Sequence, residues 1–151
     1  MSAEMAAPSM SKKPELYTKD MLRLAASLPH NDRLENPQAS ASKRSPVCGS
    51  EMTVDLRCDG GGAITELAFR GRACAMGQAS AALLRQLGIG SKQSAIAATR
   101  AGLASALSGE GEFDGLWPEL AVFQSARAHP ARHAAILLPF DALIAALDEI
   151  G

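Results

Sequence analysis

From residue 51 onward the apolar pattern changes period once, and that change limits the chain to one class of fold. Met52, Val54 and Leu56 alternate with Thr53, Asp55 and Arg57, the period-two pattern of a strand with one buried face. Asp59-Gly60-Gly61-Gly62 then supplies a turn that tolerates positive φ. Ile64, Leu67 and Phe69 follow among Thr65, Glu66 and Arg70, a second and less regular strand. The pair reads most simply as an antiparallel hairpin. At Cys74 the spacing becomes helical: Met76, Ala79, Leu83, Leu84 and Leu87 make one apolar stripe, and Gly88 is placed as a C-cap. Ser91 is the expected N-cap of the next helix, which carries Ile96, Leu103 and Leu107 and stops at Gly109. A small sheet followed by a run of helices predicts an α+β domain.

The flanks add helices around this centre. Tyr17, Met21, Leu24 and Leu28 share a face of an expected helix from Glu15 to Leu28, with Pro14 in its first turn and Pro29 ending it. His30 to Pro46 is polar and reads as an irregular connection, part of which could pair as an edge strand. After a Gly- and acid-rich loop from Gly109 to Pro118, a short helix is expected over Glu119–Arg127 and a break at His129-Pro130. The last helix is expected to start near Leu138, because Pro139 belongs in a first turn, and to carry Phe140, Leu143, Ile144 and Leu147. Residues 1–14 read as a flexible tail and residues 15–151 as a single domain.

Charge and hydropathy remove several function classes. A net charge of −1 creates no field for nucleic acid or an anionic membrane. Lys12-Lys13 and Lys43-Arg44 are too short for a nucleic-acid patch, and no aromatic ladder accompanies them. No apolar run approaches the roughly 18 residues of a membrane span, and the N-terminus has no apolar signal core. Gly60-Gly61-Gly62 joins strand to strand and is not a phosphate loop.

The candidate chemistry lies with sulfur. The chain has three cysteines, an odd count that does not suggest a disulfide framework, and a reducing cytoplasm is the expected setting. Cys74 sits at a helix N-terminus, where the dipole and free N–H groups favour thiolate, and Arg72 is close in sequence. The Gly60–Gly62 turn lies nearly midway between Cys48 and Cys74, so a hairpin folds the two toward one another. Together they could hold a metal or a persulfide, although the spacing is not CxxC and does not alone define a metal site. Cys58 shares a face with Met52, Val54 and Leu56 and is expected to be buried. His129 and His133 are four apart, but Pro130 interrupts them, which leaves His133 as the better ligand candidate. No base–orienter pair is visible around Cys74, so no catalytic residue is assigned and no enzymatic activity is expected. Trp117 is expected to anchor the core.

Asn36-Pro37, Ser45-Pro46-Val47-Cys48-Gly49-Ser50, Asp59-Gly60, Ile64, Ala68-Phe69, Gly71, Cys74 and Ala79-Ser80 together resemble the IscU/NifU-type iron–sulfur cluster assembly scaffolds, and more closely their SufU branch. Gly109–Pro130 resembles that branch's extra segment, and Pro130-Ala131-Arg132 resembles the run before its last cysteine. The resemblance implies a small antiparallel sheet with helices packed mainly on one side. It also implies a role with a cysteine desulfurase and other iron–sulfur assembly proteins. Cys48 and Cys74 match the first and second ligand cysteines, and Ser50 stands in place of the ligand aspartate. Ala135 stands where the third cysteine, the usual sulfur acceptor, belongs. The metal set so implied is Cys48 and Cys74, with His133 and Ser50 as secondary candidates, holding iron, an iron–sulfur cluster or zinc. Two thiolates per chain fall short of the usual four ligands, which a homodimer or a partner could complete. The alternative is a scaffold-fold protein that binds or regulates a cysteine desulfurase or other Suf components without carrying a cluster.

Overall fold

The computed structural model describes residues 16–46 and 49–151, which leaves the expected tail, Pro14, Glu15 and Cys48 outside the described residues. The first helix, α1, spans Lys19–Ser27 and starts later than its apolar spacing suggests, because Thr18 caps it with a side chain that accepts from the Met21 N–H at 3.2 Å. Met21 and Ala25 are its buried residues, while Leu24 and Leu28 pack at the edge of the core.

The polar connection does contain an edge strand, β1, Ala39–Arg44. It pairs antiparallel with β2, Glu51–Cys58, which pairs antiparallel with β3, Ile64–Arg72, in the order β1-β2-β3. Val54 faces Phe69 and Leu56 faces Leu67 across the second ladder, so the alternating residues of both strands meet on one buried face. The third strand is a regular ladder partner from Leu67 to Arg72, and the register shifts only at Arg57/Cys58, beside the glycine turn.

Helices cover that face. α2, Ala75–Leu87, buries Met76, Ala79, Leu83 and Leu84. α3, Gln93–Ser108, begins after Lys92 and not Ser91, without a side-chain cap bond, and ends at Gly109 in the left-handed conformation, φ 88°. Pro118–Ala126 forms the short helix expected over Glu119–Arg127, and it is of the 3-10 type. Trp117 is half-buried, with its ring 6.3 Å from that of Phe140.

The last helix, α4, spans His133–Ile150, so it starts five residues before the expected Leu138 and carries Pro139 in its interior. Proline has no N–H to return to the carbonyl four residues back, a cost of about 3 kcal/mol in a helix interior. Burial outweighs it: Ile136, Phe140, Ala142, Leu143 and Ala146 are fully buried, so α4 lies in the core against β1, β2, α2 and α3. The backbone gap left by Pro139 falls at the carbonyl of Ala135.

Candidate functional site

Three chain segments meet at one end of the sheet. β1 ends at Arg44, β2 begins at Glu51 and β3 ends at Arg72, and Arg44, Glu51 and Arg72 are neighbours across the two ladders. The β1–β2 loop is closed by Ser45 N–H donating to Ser50 O at 2.8 Å and Gly49 N–H donating to Ser45 O at 2.9 Å, with Gly49 at φ 72°. Cys48 belongs to this loop by sequence and lies outside the described residues.

Cys74 arrives at the same end from β3. Gly71 makes this possible: at φ 144° it lies so close to Glu51 that any Cβ would overlap the Glu51 carbonyl. Two residues after β3, Cys74 is the N-cap of α2, half-buried, and makes no side-chain cap bond. Its carbonyl accepts the Gln78 N–H at 3.0 Å, and Gln78 Nε2 donates back to Ala73 O at 3.1 Å, which fixes the first turn around it. α2 has no acid in that turn. Arg72 is exposed nearby, and Arg44 lies 3.8 Å from Glu51.

α4 starts against α2 here. A Cβ on Gly77 would sit 3.3 Å from the Ala135 carbonyl, and Ser80 Oγ donates to Ile136 O at 2.6 Å, so small residues let the two helices approach closely. Ala135 is 1 % exposed, so the position implied for a third cysteine is filled by a methyl group in the packed seam between α2 and α4. His133 opens α4, and its Nε2 donates to Ala126 O at 2.8 Å. The carbonyl can only accept, so Nδ1 is the nitrogen left for any ligand role. Ser50 is 6 % exposed. Among the described residues no group of three or more His, Cys, Asp or Glu is placed to hold a metal ion.

Cys58 lies at the opposite end of the sheet, half-buried against the core. Burial and the charge of Asp59 both push its thiol upward from the ordinary value, which disfavours thiolate.

Two features were not singled out by the sequence. Ser45, 3 % exposed, has a buried hydroxyl with no hydrogen-bond partner. Only its position at the end of a strand that the sequence left undefined would have revealed it. Asp55, also 3 % exposed, sits on the sheet face opposite Val54. Its carboxylate accepts from Arg70 Nη1 at 2.8 Å, from Leu34 N at 3.1 Å and from Ser40 Oγ at 2.6 Å. Burial raises its pKa, but the hydrogen bonds from Arg70, Ser40 and Leu34 and the charge of Arg70 outweigh burial and hold it below the ordinary 3.8. A carboxylate in mid-strand was the available signal, since Asp is depleted there.

The sequence model of the NifU-like N terminal domain family matches residues 16–137. A NifU-like protein (N-terminal) from Brucella abortus has a solved structure that is 32 % identical, with 89 % of this chain and 94 % of that chain covered and a TM-score of 0.80. A protein of Fervidobacterium islandicum, described as an iron–sulfur cluster assembly scaffold for the SUF system, is 21 % identical over 87 % of this chain and 96 % of its own, with a TM-score of 0.78. No curated protein matches the chain. The fold is that of the NifU and SufU scaffolds, a three-stranded antiparallel sheet with helices. The chain belongs to the NifU-like N-terminal domain family. No helix among the described residues is long and apolar enough to cross a membrane.

Proposed function

We propose that this chain serves iron–sulfur cluster assembly as a scaffold-like protein, not itself an enzyme, that holds iron, a labile cluster or zinc through Cys48 and Cys74. The observation that carries this reading is Cys74 at the α2 N-cap, half-buried and without a cap bond, at the sheet end where the loop bearing Cys48 attaches. The first turn of α2 brings no carboxylate beside Cys74. Two thiolates leave open the remaining positions of a tetrahedral shell. A second copy of the chain, a cysteine desulfurase or another assembly protein would complete it, in the reducing cytoplasm. Anaerobic reconstitution with ferrous iron and sulfide tests this: the wild type is expected to gain visible absorption that Cys48→Ser and Cys74→Ser each abolish. A wild type that takes up no iron, or single variants that take it up unchanged, would overturn the reading.

One observation favours a second reading. Ala135 is packed at 1 % exposure where the family's sulfur acceptor stands, which suits a protein that binds and regulates a cysteine desulfurase without carrying a cluster. Pull-down with a desulfurase, with metal present and with metal chelated, separates the two. Binding indifferent to metal and to both cysteine substitutions supports the second reading.

A further inference from the structure

We infer that Gln78 is a positioning residue for the Cys74 thiol, an inference that rests on the reading just proposed. A residue at a helix N-cap ordinarily turns its own side chain back onto the free N–H groups of the first turn. Cys74 does not. It holds the N-cap position of α2, at φ −68° and ψ 171°, with no side-chain cap bond. Its sulfur is left out of the hydrogen bonding that starts the helix, and another group holds the backbone there.

That group is Gln78, one turn further on. Its backbone N–H donates to Cys74 O at 3.0 Å, and its side-chain Nε2 donates to Ala73 O at 3.1 Å. Those two carbonyls belong to the two peptide units that adjoin the Cys74 Cα. Each peptide unit is a rigid plane, so only φ and ψ of Cys74 set how the two planes are turned about that carbon. One residue bonded to both planes fixes both angles. It thereby fixes the direction in which the Cα–Cβ bond, and the thiol beyond it, leaves the backbone. The backbone half of this clamp is the ordinary first bond of an α-helix. The side-chain half is not, because it reaches a carbonyl that precedes the helix, five residues back.

Ala73 has no second anchor of the same kind. Among the described residues no other donor reaches its carbonyl. Its methyl group rests on Gly77, where a Cβ would come within 2.9 Å of it, so contact holds it on one side and the Gln78 amide on the other. The amide suits the task. It donates from nitrogen without bringing a charge, so the clamp sets neither a cation nor an anion beside a sulfur that is to bind metal. A carboxylate of the same length could only accept, and would leave the Ala73 carbonyl without its donor.

The probe is cobalt(II) added to the metal-free full-length chain and followed by absorption, with zinc affinity measured by chelator competition. Gln78→Met keeps the length and helix preference of the side chain and removes the donor. Gln78→Glu keeps the shape and, once ionised, cannot donate either. Both are expected to shift the cobalt ligand-field bands, which report ligand geometry, while circular dichroism of the metal-free chains matches the wild type. Both are also expected to weaken zinc binding by about 10-fold or more, the loss typical when a group that orients a ligand is removed. Should one of the two fail to fold, the other decides. A role confined to the fold would lower the urea midpoint and leave the bands of the folded protein unchanged. That result, or bands that move in only one of two folded variants, would overturn this inference while Cys74→Ser still abolishes binding. A wild type that binds neither metal would overturn the functional reading, and this inference with it.

Discussion

The sheet has two polar regions, and they are finished to different degrees. Around Asp55 every oxygen is met from within the chain: Arg70, Ser40 and the Leu34 N–H all converge on it, and Arg70 also reaches the Asp32 carbonyl at 3.4 Å. That cluster ties the connection before β1 to the outer face of the sheet. At the other site Ser45 keeps an unmet hydroxyl and Cys74 caps a helix without a cap bond. Closed networks of the first kind hold structure together. An open arrangement of the second kind has capacity left for something from outside. The first arrangement serves the fold, and the second is the end of the sheet at which ligand binding is proposed.

Substitutions test this contrast. The largest effect is expected at Gly71, on which both the β2–β3 ladder and the approach to Cys74 depend. Gly71→Ala places a methyl group on the Glu51 carbonyl and should cost about 3–4 kcal/mol in urea unfolding. A loss under 1 kcal/mol would show that the strand end relaxes freely.

Asp55→Ala should cost about 3 kcal/mol, because it strands the mostly buried Arg70, whose side chain is 17 % exposed. Metal binding at the far cluster should be unaffected. If metal binding fell as well while the protein stayed folded, the two clusters would be coupled and the contrast would fail.

The pH dependence follows from the same carboxylate. Its folded pKa is depressed, so its contribution to stability is fully present above the unfolded value near 3.8 and is lost as pH falls through the lower folded value. Thermal unfolding of the wild type between pH 5 and pH 2 should therefore show a steeper loss than that of Asp55→Asn. Superimposable curves would remove Asp55 as the cause.

The smallest change is expected at Ser45. Ser45→Ala deletes an unsatisfied buried group, so the metal-free protein should hold its stability or gain up to about 1 kcal/mol. A loss of 2 kcal/mol or more would mean that the hydroxyl is satisfied within the metal-free chain.

The sequence made the hairpin and α2 legible, because Met52, Val54, Leu56 and the stripe beginning at Met76 each show one clear period. It misplaced the start of α4. Pro139 is a strong local signal for a first turn, but the burial of Ile136, Phe140 and Leu143 is a tertiary effect that local signals do not contain. β1 was legible only as a possibility, since Ala39–Arg44 is mostly small and polar and is held by its ladder to β2. At the site, Cys74 was legible from its helix, and the loss of a ligand at Ala135 from the family pattern. The role of Ala135 in close packing was not, because it depends on Gly77 and Ser80, more than fifty residues away in sequence. The burial of Ser45 was not legible for the same reason: it requires knowing that β1 exists.

Cys48 and Cys74 are the residues proposed to carry the cargo. Metal content per chain, measured after anaerobic purification of the wild type, Cys48→Ser and Cys74→Ser side by side, tests that role most directly. Iron or zinc is expected in the wild type and is lost in each variant, with Cys58→Ser unchanged. A wild type without metal, or metal retained when both Cys48 and Cys74 are replaced, would contradict it.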